Sequence, residues 1–239
     1  MVGKAKKSSV AVTGKADVIL VDDHPVVRQG LAGLVNQAEG LEVVGEASTA
    51  SQALELANEK RPHLVVVDLG LGEGSGIELI KQLRAMHSGC HVLVVSMHDD
   101  ELFAERAIRA GAAGYVNKQN ASEDIVTAIR TVLRGEIYLN PAIAGTVLRR
   151  AVTDEDDPQA TAVERLSDRE LEVFMLMGKG RTTRQIADQL QLSRKTIDTH
   201  REHIKTKLQI DNTNDLVRQA TVWLMGQAAE EGEGAADEE

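Results

Sequence analysis

The sequence predicts an α/β domain built on a parallel sheet, followed by a small all-α domain. Three observations predict it. Between Asp17 and Arg134, five short runs of branched apolar residues alternate with segments whose apolar residues recur at helical spacing. The central runs are apolar on both faces, which implies a parallel sheet covered by helices. Beyond Glu164 the strand signal stops and the pattern is helical only.

The first strand is Val18 to Val21, and the helix after it carries Val27, Leu31, Leu34 and Val35. Leu41 to Gly45 is the second strand, followed by a helix with Ala53, Leu54 and Ala57 at core spacing. Leu64 to Val67 is the third, followed by Ile77, Ile80 and Leu83. Val92 to Val95 and Gly114 to Val116 complete the set, with helices around Phe103, Ala107 and Ile108 and around Ile125, Ile129, Val132 and Leu133. The acidic DEDDP run at residues 154–158 cannot build a core, and Pro158 ends any helix that starts near Ala142, so residues 136–163 read as a linker. Ser167 with Glu170 three residues on forms a capping box. Gly178 and Gly180 close that helix, Thr182 or Thr183 opens a second through Leu190, Ser193 caps a third, and Asn212 or Thr213 opens a fourth. The predicted organisation is a flexible basic tail over 1–16, an α/β domain over 17–135, the linker, a helical domain over 164–226 and an acidic disordered tail over 227–239.

Composition narrows the function. Aromatic residues are 2% of the 239, limited to Phe103, Tyr115, Tyr138, Phe174 and Trp223, so a stacking platform for single strands has almost nothing to be built from. The single Cys90 excludes an intramolecular disulfide and a cysteine metal cluster, and is expected to pack as a small apolar residue in or near the fourth strand. No apolar run approaches a membrane span and no secretory signal is present, which predicts a cytoplasmic protein without membrane contact. The net charge of −10 argues against a partner as acidic as DNA. It is an average over unlike parts: residues 164–226 hold eleven basic against nine acidic side chains, so the total does not reject nucleic acid.

Asp22 and Asp23 follow the first strand, Asp68 the third, Ser96 ends the fourth and Lys118 follows the fifth. In an open parallel sheet these positions share the carboxyl edge, where ligands bind. Three carboxylates crowded together shift their pKa values or hold a cation, and hard oxygen donors suit Mg²⁺. With Asp22 and Asp23 neutralised by the metal, Asp68 is placed to act as a nucleophile toward a phosphoryl group, giving an aspartyl phosphate. Lys118 would hold its oxygens, Ser96 offers a hydroxyl to one of them, and Tyr115 can follow that hydroxyl's movement. Taken singly, Asp23 also reads as the cap of a helix starting at Pro25. The run GLGEGSG is not a phosphate loop, since no Lys-Ser/Thr follows it and it lies after the third strand.

Through VDDH, VVDL, VVS and GYVNK, residues 17–135 resemble the receiver domain of two-component response regulators. The resemblance implies a flavodoxin-like fold with strand order 2-1-3-4-5 and Asp68 as phospho-acceptor. It further implies an Mg²⁺ shell of Asp22, Asp23, Asp68 and the backbone carbonyl of Gly70, a sensor histidine kinase as phosphodonor, and Ser96 with Tyr115 as the switch pair. Gly72 stands where the family usually has proline, which leaves that loop more mobile.

On a helical wheel Ile197, Ile204 and Leu208 fall within about 20° of one direction and form a buried stripe. Lys195, Thr199, Glu202 and Thr206 stand opposite, flanked by Asp198 and Lys205. A short helix, a turn at Gln191 to Ser193 and a helix with such a face make a helix-turn-helix, whose second helix enters the major groove; a helical packing or dimerisation domain is the alternative. Through LSDRELEV, IADQL and LSRKTIDTHREHIKTKL, residues 164–226 resemble the four-helix LuxR-type domain of NarL/FixJ regulators. That resemblance implies base reading by Lys195, Asp198, Thr199 and Glu202, double-stranded DNA with two half-sites, and a homodimer through the last helix. A carboxylate accepts from cytosine and Thr199 touches a thymine methyl, so the preferred DNA sequence should differ from that of lysine-bearing relatives. Arg194, Thr196, His200, Arg201 and Lys205 are candidates for phosphate contact, with Arg201 alternatively paired to a nearby acid.

The expectation is a phosphorylation-controlled transcription regulator, not an enzyme beyond slow self-dephosphorylation. Two rivals are an aspartyl-phosphate hydrolase, which would typically carry an acid at Gly70, and a receiver acting through protein partners with a helical module that binds no DNA.

Overall fold

The computed structural model describes residues 15–71, 75–87, 89–96, 101–119, 121–141, 143–145, 162–190 and 192–234. The chain divides into two compact units between Thr153 and Asp154.

The first unit is a five-stranded sheet, β1 (Ala16–Val21), β2 (Leu41–Ala47), β3 (Leu64–Val67), β4 (His91–Ser96) and β5 (Gly114–Asn117), in the order β2-β1-β3-β4-β5. All four pairings are parallel. Helices α1 (Pro25–Gln37), α2 (Ala50–Lys60), α3 (Gly76–Met86), α4 (Glu101–Ala110) and α5 (Ala121–Leu133) follow the strands in turn. Because side chains alternate across a strand, Val18, Leu20, Leu64, Val66, Leu93, Val95 and Val116 face one layer, where Leu31 and Val35 of α1 and Ile125, Ile129 and Val132 of α5 meet them. The other face carries Ile19 toward Leu56 of α2, and α2, α3 and α4 pack side by side across it. Each fully buried Val, Leu or Ile contributes about 1.5–3 kcal/mol relative to exposure, which is what holds the strands in register, apart from a one-residue shift against β2 between Val18 and Ile19.

That register positions the site. Val21 pairs with Val67 and Val67 with Val94, so the chain leaves β1, β3 and β4 at nearly one level, and the Asp68 amide donates to the Val21 carbonyl at 2.8 Å. The strands extend the sequence reading by one or two residues at five of their ten ends and match it at the other five. Cys90 lies one residue before β4 and is buried. The N-cap of α1 is His24, with Pro25 at the first helical position, so Asp23 stands before the cap and does not fill it.

After α5 the chain turns at Gly135 and returns along the outer edge of β5. The Tyr138 amide donates to the Ala113 carbonyl at 3.0 Å and the Tyr115 amide to the Tyr138 carbonyl at 2.9 Å, giving a parallel bridge between Gly114 and Tyr138. A Cβ on Gly114 would come within 2.9 Å of both the Tyr138 carbonyl oxygen and Leu93, so this approach requires glycine there. The start of the expected linker is thus part of the sheet edge. Its acidic run and Gly72 lie outside the described residues.

Among the described residues the second unit holds a 3₁₀ turn at Ala162–Arg165 and four helices, α6 (Asp168–Gly178), α7 (Thr183–Gln189), α8 (Arg194–Leu208) and α9 (Thr213–Gly234). Both halves of the Ser167–Glu170 capping box are formed, and Thr182 with Gln185 makes a second one at α7. Ser193 caps α8 by accepting from the Thr196 amide, and Asn212 accepts from the Asp215 amide at the start of α9. Phe174 meets Trp223 edge-on at 6.0 Å. Gly178 lets α9 approach, since a Cβ there would lie 2.6 Å from the Ala220 carbonyl oxygen. The sequence reading began a disordered tail at Gln227; the helical backbone instead continues to Gly234. Alanine, glutamine and glutamate are strong helix formers, so the backbone propagates even where no apolar stripe continues.

Candidate functional site

Asp22, Asp23 and Asp68 come together at the carboxyl edge, joined by His24. One ligand atom from each of the four lies within 4.8 Å of the others. Asp22 and Asp68 are buried. The Lys118 ammonium, just past β5, sits 2.7 Å from Asp22 Oδ2 and 2.5 Å from Asp68 Oδ2. Its backbone is set by the hydrogen bond that the Lys118 amide donates to the Ser96 carbonyl at 2.8 Å. Asp68 Oδ1 accepts from the Gly70 amide at 3.1 Å. Burial pushes the Asp68 carboxyl above the usual carboxylate range, Lys118 opposes this, and Asp22 adds to it. Burial disfavours the Lys118 ammonium, yet its two carboxylate partners outweigh that and hold its pKa above the ordinary lysine value.

These groups can do two things. The donor set is carboxylate oxygen, with His24 at its exposed rim, and hard oxygens beside a solvent-open side fit Mg²⁺. Asp68 offers a desolvated oxygen held by a lysine, the arrangement of a carboxylate nucleophile. Ser96, the last residue of β4, and Tyr115, in β5, are both buried on neighbouring strands. Gly76 matters to the same loop: a Cβ there would lie 2.6 Å from Leu69 Cα and 2.8 Å from the Asp68 carbonyl, so α3 can return this close beside Asp68 only through glycine.

Sequence reasoning missed three residues of the pocket. His24 Nδ1 lies 2.7 Å from Asp23 Oδ1, and its amide donates to Asp22 Oδ1 at 2.8 Å. Arg28 donates from Nη1 to the Asp22 carbonyl at 2.6 Å and from Nε to Glu46 Oε2 at 3.0 Å. His24 was legible as a neighbour of two acids; the Arg28–Glu46 pair spans eighteen residues and leaves no local signal.

In the second unit Ile197, Ile204 and Leu208 are the buried residues of α8, as the wheel requires. Arg194, Lys195, Asp198, Thr199 and Glu202 are exposed. The Thr199 hydroxyl donates to the Lys195 carbonyl at 3.0 Å, and Lys205 pairs with Glu202 at 2.9 Å. Thr196 shares a hydrogen bond with Ser193, and His200 is half-buried, which with nearby Arg169 lowers its pKa. Arg201 is turned inward: Nη1 donates to Thr183 Oγ1 at 2.7 Å and lies 3.5 Å from Asp198 Oδ1, locking α8 onto the first residue of α7. Arg169 binds Glu172 and the Leu190 carbonyl, closing the end of α7.

An open parallel sheet with acids after β1 and β3 and a lysine after β5, in a chain that also folds a capped helix-turn-helix, defines a response-regulator class of protein. Residues 18–130 match the response regulator receiver domain, and residues 164–220 match the bacterial regulatory proteins of the luxR family. The chain is 33% identical over 208 residues to the oxygen regulatory protein NreC of Staphylococcus epidermidis, covering 85% of this chain and 95% of that one. It is 34% identical over 200 residues to the putative virulence-factor transcription regulator BvgA of Bordetella pertussis, covering 84% and 94%. Among solved structures, RcsB of Salmonella enterica serovar Typhimurium bound to promoter P1flhDC in the presence of the phosphomimetic BeF₃⁻ aligns with a TM-score of 0.57 and 25% identity, over 87% of this chain and 100% of that one. The chain belongs to the two-component response regulators of NarL/FixJ type, transcription regulators with a receiver and a LuxR-type DNA-binding domain. Among the described residues no helix is long and apolar enough to cross a membrane.

Proposed function

We propose that Asp68 is the phospho-acceptor of this regulator, and that Asp22, Asp23, Asp68 and the Gly70 carbonyl hold Mg²⁺. A sensor histidine kinase is the donor: the N–P bond of its phosphohistidine breaks as an O–P bond forms to an Asp68 carboxylate oxygen. Bound Mg²⁺ would supply charge neutralisation at the transferring phosphoryl group. Lys118 shares that task, because the phosphoryl group brings about −1.5 to −2 charges in place of the carboxylate's single one, in a pocket that is already acidic. Ser96 and Tyr115 respond on the adjoining strands. The observation that carries this reading is the Lys118 ammonium bridging Asp22 and Asp68 inside a buried pocket.

The output is binding of double-stranded DNA, with α8 in the major groove. Lys195, Asp198, Thr199 and Glu202 read bases, and Arg194, Thr196, His200 and Lys205 contact phosphates; Arg201 serves chiefly to hold α8 in place. Two copies joined through α9 meet two half-sites, a pairing supported by Val222 and Met225, which stand exposed three residues apart on that helix. RcsB on promoter DNA with a phosphomimetic supports the same output. The functional limits 17–135, 136–163 and 164–226, a cytoplasmic location and the absence of substrate turnover belong to this proposal. The test is labelling by a small acyl phosphate with Mg²⁺. Wild type should take label and Asp68→Asn, correctly folded by circular dichroism, should take none; equal labelling of both removes Asp68 from its role.

A further inference from the structure

Arg28 is anomalous where it stands. It is the fourth residue of α1, where the helix dipole disfavours a positive charge, and the first turn holds no acid to offset it. Yet the side chain is only 17% exposed and both hydrogen bonds it makes are well formed. One goes to Glu46 on β2, the other to the Asp22 carbonyl. That carbonyl lies in the peptide plane between Asp22 and Asp23, so its direction sets how the two carboxylates stand to each other. The Asp22 carboxylate is in turn oriented by the His24 amide.

We propose that Arg28, anchored by Glu46, is a positioning residue that presets Asp22 and Asp23 for the cation. This rests on the reading of Asp22, Asp23 and Asp68 as the cation and phosphoryl site. Arg28 touches neither ligand nor phosphoryl group; it acts through the backbone. Outer contacts of this kind are worth on the order of 10- to 100-fold in metal affinity. Electrostatics alone predicts the opposite sign. Removing the guanidinium leaves Glu46 unpaired, adds net negative charge near the pocket and would tighten cation binding. The two effects are therefore separable by direction.

The experiment is titration of Mn²⁺ alone onto the full chain, read by electron paramagnetic resonance of the free ion. Arg28→Ala should raise the half-saturating Mn²⁺ about tenfold. Arg28→Lys, which keeps the charge without the planar fork, should bind between wild type and Arg28→Ala. In acyl phosphate labelling, the half-saturating Mg²⁺ should rise in parallel while labelling at saturating Mg²⁺ is retained. Unchanged or tighter Mn²⁺ binding in Arg28→Ala overturns the proposal; if that variant does not fold, unchanged binding in Arg28→Lys does so. A wild type that binds no Mn²⁺ and takes no label would instead overturn the underlying reading of the acidic pocket.

Discussion

At the scale of single residues, the pocket is governed by how few positions can change without moving a charge. Asp68 and Lys118 answer each other: the buried carboxylate is tolerable because the ammonium is there, and the ammonium keeps its proton because of the carboxylates. Gly76 is as constrained for a different reason, since its neighbours at 2.6 and 2.8 Å are backbone atoms that cannot step aside. Gly76→Ala should destabilise the α/β unit by about 1–3 kcal/mol and slow labelling of Asp68 by displacing its loop; urea denaturation followed by circular dichroism, together with labelling rates, checks this. The acids, Ser96 and Lys118 were legible in the sequence because each follows or ends an apolar run, so strand periodicity alone places them on one edge. Arg28, Glu46 and Gly76 were not, because their roles depend on distances across the fold.

At the scale of elements, β5 and the capped helices decide how each unit holds together within itself. β5 is tied to the pocket at one end by Lys118 and along its outer edge to the returning chain at Tyr138. The sequence places residues 136–140 in a linker with the acidic run that follows, and the five residues EIYLN are too few to show a period. Their attachment comes from backbone hydrogen bonds, which leave no side-chain pattern. Tyr138→Pro removes the donor to Ala113 and should undock the edge. Hydrogen exchange at the Tyr115 amide should then rise roughly five- to tenfold, the equivalent of about 1 kcal/mol; unchanged exchange would mean the edge contact carries no weight. In the helical unit, Glu170 joins the capping box to Lys207 on α8. Burial pushes its pKa up, but Lys207 and the Ser167 amide outweigh that and hold it below the ordinary value. A depressed folded pKa contributes stability above the unfolded value, near 4.3, that is lost as pH falls through the folded one. Glu170→Gln should therefore be less stable than wild type at pH 7, with the gap closing in acid below that depressed pKa, as thermal denaturation across pH would read. The capping boxes themselves were fully legible, since they are written within four residues.

At the scale of the whole molecule, the net charge of −10 misleads because it sums a site that needs acids with a module that must approach DNA. Residues 164–226 have only a small basic excess, so attraction to phosphates is modest and pairing of two copies should matter. With two cationic phosphate contacts per copy, Arg194 and Lys205, the slope of log affinity against log salt should be about −4 for a dimer. Lys205→Ala should reduce the slope by about 1 per copy, whereas Thr199→Ala should alter sequence preference and leave it intact. Affinity without salt dependence would contradict phosphate contact. Fold class and strand count were legible from periodicity, and the sheet order from the receiver resemblance. The inward turn of Arg201 was not settled, because a wheel places a residue on a face without saying which neighbour is near enough to hold it. The central claim is that Asp68 carries the phosphoryl group, and reductive trapping tests it most directly. The full chain is treated with acyl phosphate and Mg²⁺, reduced with borohydride, digested and sequenced by mass spectrometry. The reduced residue should be Asp68; reduction at any other carboxylate, or none, would contradict the account.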